Sequence, residues 1–122
     1  MSEWCLGVTE KYERTFKICE KKQPNELIAV LRNLDVYFQA LNELDNPLLI
    51  KAGFIHPEGQ GIIAIDQKGG KQKVKLKQTR LYLFPDTEKR ILNLLIVGDK
   101  QSQRLDIKYC KDFIAQIKKE RS

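Results

Sequence analysis

The chain has 122 residues, 42% hydrophobic and 31% charged, which suits one globular domain over 1–122 and excludes a disordered chain or a second core. Its net charge of +6 makes a polyanion a natural partner class, although a merely soluble basic surface has the same composition. Three cysteines (Cys5, Cys19 and Cys110), without CxxC spacing, form neither a disulfide framework nor a zinc site.

Residues 4–8 read as a short strand. From Thr9 a helical stripe begins, with Tyr12, Phe16 and Cys19 spaced four and three apart and Thr9 placed as N-cap. Pro24 suits the first turn of a second helix. There Leu27, Val30 or Leu31, Leu34, Phe38 and Leu41 hold one face, and Glu26, Arg32, Asn33, Asp35 and Gln39 the other. Asn46-Pro47 ends it, because the residue before proline is pushed out of helical geometry. The two helices predict an antiparallel hairpin.

Strand periodicity follows. The stretch 48–55 is apolar but interrupted by Lys51 and Gly53, and Gly61 to Asp66 holds a short buried strand, Ile-Ile-Ala-Ile. From 71 to 77 every second residue is lysine. Arg80 to Phe84 and Arg90 to Val97 predict two central strands joined by the five residues 85–89. A closing helix starts near Ser102, with Ile107, Cys110, Ile114 and Ile117 as its buried stripe and lysines elsewhere. The fold class is therefore α+β: an N-terminal helical hairpin packed on a small, mainly antiparallel sheet, closed by a C-terminal helix. No apolar run approaches the ~20 residues that span a bilayer. The acidic segment 1–7 is unlike a secretory leader. The expected location is the cytoplasm, with no membrane partner.

Enzyme motifs are few. His56, followed by Pro57, reads as a loop residue, and one histidine without further ligand spacing is not a metal site. Gly59-Gln60-Gly61 and Gly69-Gly70-Lys71 lack phosphate-loop spacing and read as turns. What remains is basic. Lys71, Lys73, Lys75 and Lys77 would share one face of a strand, either as a track for phosphates or as the solvated edge that blocks aggregation. Arg80 lies inside a strand of buried character and needs a partner: a carboxylate such as Asp66 or Asp99, or a ligand phosphate. Tyr82, on the same face, either stacks a base or is core.

The order of elements, the stretch Thr79-Arg-Leu-Tyr-Leu-Phe84 and the stretch from Ile96 through Gly98-Asp99-Lys100 to Tyr109-Cys110 resemble the RelE/ParE toxin superfamily, the HigB-like members most. The resemblance implies a toxin of a type II toxin-antitoxin system that binds the ribosome and cuts mRNA without metal or other cofactor. The RNA 2′-hydroxyl would attack the adjacent phosphorus. By position, Arg80 would contact the scissile phosphate, and Lys100 would stabilise charge in the transition state. A tyrosine that serves some members as acid or base is replaced by Asp106, with Tyr109 one turn later, so the general base is unassigned. The partners implied are a cognate antitoxin, with an acidic amphipathic binding segment, and mRNA on the ribosome. Two other functions remain open: a ParE-like, non-nuclease toxin that binds a protein such as gyrase, and an RNA-binding domain without catalysis.

Overall fold

The computed structural model describes residues 3–70 and 75–122. Among them, strand β1 (Cys5–Val8) leads into helices α1 (Glu10–Lys22) and α2 (Pro24–Leu44), a 3₁₀ turn at Pro47–Leu49, strands β2 (Ile55–Gly59), β3 (Ile62–Ile65), β4 (Thr79–Asp86) and β5 (Ile91–Asp99), and helix α3 (Gln103–Arg121). The sheet order is β1-β5-β4-β3-β2, with β1 parallel to β5 and the other neighbours antiparallel. This is the α+β architecture expected. No helix among the described residues is long and apolar enough to cross a membrane.

Local chemistry explains the helix ends. Thr9 Oγ1 accepts the Tyr12 N–H at 2.9 Å, and Glu10 and Glu13 stand in the first turn, where the dipole favours them. Pro24 opens α2, and Asp45 closes it in the left-handed region at φ 55°. Asp45 also accepts from Trp4 Nε1 and Arg90 Nη2, both at 2.9 Å, which ties β1 and the β4–β5 turn to the end of α2.

The core has two parts, one on each side of the sheet. On the hairpin side, Tyr12, Val30, Leu34, Tyr37 and Leu41 pack on Ile65, Leu81, Leu83 and Leu92. On the α3 side, Cys110 and Ile114 pack on Ile62, Ala64, Tyr82, Leu95 and Ile96. A bulge opposite Tyr82–Leu83 carries β5 between these two sets of neighbours.

Several elements depart from the periodicity. Pro85 and Asp86 belong to β4, so the hairpin connection is residues 87–90. Leu48 and Leu49 lie in the 3₁₀ turn, largely exposed, rather than in a strand. Residues 75–78 form no strand, and Lys71 and Lys73 lie outside the described residues. Glu26 and Asn33, assigned to the polar face of α2, are buried because they serve a neighbouring loop. Glu26 Oε2 accepts the Lys77 N–H at 2.8 Å, and Asn33 Nδ2 donates to the Asp66 and Lys68 carbonyls, each at 2.8 Å.

Two predictions concern stability. Tyr37 is fully buried, and its hydroxyl has no partner among the described residues. Tyr37→Phe removes an unsatisfied polar group and should raise stability by about 1 kcal/mol in urea unfolding; a loss would point to a partner for the hydroxyl. Asp86 is held below the usual carboxylate range. Burial alone would push it up, but the Arg121 hydrogen bond and charge and the Lys89 and Glu88 amides outweigh that. A carboxylate lowered in the fold adds stability above its unfolded pKa and loses it as pH falls through the folded value. Arg121→Gln should therefore be less stable than the native chain at neutral pH, with the gap closing in strong acid; a gap independent of pH would count against the clamp.

Candidate functional site

Arg80 stands on β4, two residues before Tyr82, and therefore on the α3 side of the sheet. Its carboxylate partner is Glu58 on β2, and neither Asp66 nor Asp99. The guanidinium Nη1 lies 3.4 Å from Glu58 Oε1, longer than a charge-assisted hydrogen bond normally runs, and Nε has no partner among the described residues. β3 runs between these two residues, and on this side it presents Ile62 and Ala64, the latter paired in register with His56 and Tyr82. The arginine thus lies across β3 with donors to spare and 19% of its side chain exposed.

His56 belongs to β2, not to a loop, and faces the same side. Its Nε2 lies 2.5 Å from Asp66 Oδ2, and Asp66 Oδ1 accepts the Lys68 N–H at 2.7 Å. A carboxylate oxygen only accepts, so Nε2 carries the hydrogen and Nδ1 is left as the acceptor of the neutral ring. Asp66 is buried, whereas His56 keeps 27% of its side chain exposed. His56 and Glu58 escape sequence reading because Pro57 and Gly59 look like breakers. The usable signal is the alternation itself, with Ile55 and Pro57 out of phase with two titratable residues.

The other expected site residues divide. Asp106 is buried, and its Oδ2 accepts the Ser102 hydroxyl at 2.7 Å, while Asp99 Oδ1 accepts the Ser102 N–H at 3.0 Å. This approach needs Gly98, where a Cβ would fall 2.1 Å from Asp106 Oδ2 and 2.4 Å from Ser102 Oγ. Burial pushes the Asp106 carboxyl up, the Ser102 hydrogen bond opposes this, the Asp99 charge adds to it and the Lys11 charge opposes it. Tyr109 is half-buried, with Lys11 Nζ 5.8 Å from its ring centre. Lys100 is exposed in the turn after β5 and has no ion-pair partner among the described residues. Tyr82 has no exposed surface, which overturns its expected role in stacking a base. Its burial pushes the phenol up, with the Asp106 and Glu58 charges adding to the effect.

Lys75 and Lys77 are exposed in the β3–β4 connection rather than aligned along a strand. Gln23 Nε2 donates to Thr79 Oγ1 at 3.0 Å, which brings the α1–α2 corner to the start of β4. Lys21 and Lys22, in the last turn of α1, thus join Lys75, Lys77 and Lys100 at one end of the sheet. Composition alone could not reveal that grouping, because the contributors lie far apart in sequence. A cavity of about 310 Å³ opens there, lined by Lys22, Gln23, Asp99, Asp106 and Tyr109. A larger one of about 700 Å³, lined by Pro47, Leu48, Ile62, Phe84 and Ile117, holds none of the expected site residues. Among the described residues no cluster of ligating side chains could hold a metal ion.

No family model, curated protein or solved structure matches the chain.

The Asp106 environment generates a test. A carboxyl raised in the fold costs stability while ionised, and the cost is relieved as pH falls through its folded value. Asp106→Asn keeps an acceptor for Ser102 without the charge, so its urea midpoint should exceed the native one at neutral pH and converge with it in acid. A lower midpoint at neutral pH would mean that the ionised form is the one the fold requires.

Proposed function

We propose that the chain is a RelE/ParE-superfamily toxin, a metal-independent endoribonuclease that cuts mRNA on the ribosome and is neutralised by an antitoxin protein. The observation that carries this reading is Arg80: a guanidinium only loosely held by Glu58, on a sheet face left partly open, near the end where five lysines from three segments gather. Fixed cations of this kind suit a phosphodiester whose charge grows as the 2′-oxygen attacks. In the reaction, the 2′-oxygen–phosphorus bond forms and the phosphorus–5′-oxygen bond breaks, leaving a 2′,3′-cyclic phosphate and a 5′-hydroxyl. Arg80 binds the phosphate. Lys100 stabilises the charge that develops in the transition state, and Lys75 and Lys77, with Lys21 and Lys22, hold the flanking backbone. An acidic antitoxin segment would be drawn to the same cations.

Expression from a tightly controlled promoter tests this, with growth and amino-acid incorporation followed beside an Arg80→Ala, Lys100→Ala double variant of equal solubility. The native chain should stop incorporation rapidly, and the variant should not. Equal toxicity of both would move the target to a protein such as gyrase. Harmlessness of both, with RNA still bound by the purified chain, would leave an RNA-binding domain without catalysis. RNA affinity should fall steeply as salt rises from low to moderate, because each phosphate contact releases counterions.

A further inference from the structure

We infer that His56, oriented by Asp66, is the general base of this reaction, an assignment that rests on the nuclease reading above. Three independent features of the structure support it. First, Asp66 is a buried carboxylate whose two oxygens are both used, one on the Lys68 N–H and one on His56 Nε2, so the ring is fixed in tautomer and orientation. Nδ1 is then the basic atom, and among the described residues it has no partner. Second, His56 and Arg80 share one side of the sheet, on strands roughly 10 Å apart in backbone; Ala64, the β3 residue in register with His56, pairs on its other side with Tyr82, two residues from Arg80. The Arg80 side chain already spans that interval to reach Glu58, two residues along β2 from His56, so a phosphate held by Arg80 would sit on the face that carries the imidazole. Third, burial is graded: the orienting acid is 4% exposed and the histidine 27%, which places the base and not its support at the surface.

In the step itself, Nδ1 of neutral His56 takes the 2′-hydroxyl proton as the 2′-oxygen bonds to phosphorus. The 5′-oxygen leaves and takes a proton from solvent water, and the imidazolium later returns its proton to solvent. The charged groups around His56 on this side are Asp66, which it contacts, Lys68 at 3.9 Å from Asp66, and the Arg80–Glu58 pair. Beyond Ala64 the next group on this face is the buried Tyr82 phenol.

The test is single-turnover cleavage of an end-labelled mRNA bound to ribosomes, across a range of pH, with RNA binding and thermal melting measured in parallel. His56→Gln should lower the rate about 100-fold or more, the scale of lost proton transfer. It should also abolish the acid limb of the pH–rate profile while leaving RNA binding and melting unchanged. Added imidazole should restore part of the rate to His56→Gly, which guards against a folding artefact. Asp66→Asn should lower the rate and displace the acid limb. A His56→Gln rate within threefold of native with the same profile would overturn the assignment and leave the nuclease reading standing. Absence of cleavage by the native chain would remove that reading and the assignment with it.

Discussion

Strands β4 and β5 carry Leu81, Leu83 and Leu92 on one side and Tyr82 and Ile96 on the other, and a strand pair that is apolar on both sides has to be covered twice. The helical hairpin covers one side and α3 the other. β1 and the β2–β3 hairpin can only be added at the margins. The cover is unequal, and that inequality leaves the candidate site open. The two-helix layer is broad, whereas the single helix α3 leaves the β2–β3 flank of its own side partly exposed, where His56, Glu58 and Arg80 stand.

Polar residues that enter this framework are held by specific bonds. Asn33, Glu26 and Gln23 on and before α2 take up backbone and hydroxyl groups on both ends of the β3–β4 connection. Asp66 does the same from within, serving a backbone amide and an imidazole at once. Buried polar groups of this kind contribute little net energy when satisfied and cost much when stranded, so they select one arrangement of the loop over its competitors. Lys75 and Lys77 are thereby offered near the start of β4 while their own side chains remain solvated.

Most of the architecture was legible because it rests on period. The stripes of α1, α2 and α3 and the apolar runs of β4 and β5 mark their elements directly, and Thr9, Pro24 and the Asn46-Pro47 pair mark ends. Arg80 was legible as well, since a cation in a buried strand is conspicuous. Its partner was not, because Glu58 reaches it across an intervening strand. The alternation of lysines over 71–77 imitates a strand, yet residues 75–78 form none; there the Lys77 amide goes to Glu26 instead of a ladder. Glu26 and Asn33 fall on the polar face of α2 by period, and the burial of Asp106 depends on its close approach to Gly98; no local pattern announces either.

Pro57 sits on the outermost strand of the sheet. Phe54 accepts the Asp66 amide, and alternation of the ladder then turns residues 56 and 64 toward each other and the backbone of 57 outward. An outer strand is the natural template for a second chain, and the amide that proline lacks is one such a chain would need. The rim of the sheet therefore presents the partly exposed His56 beside a position that has no amide to donate to a neighbouring copy's strand.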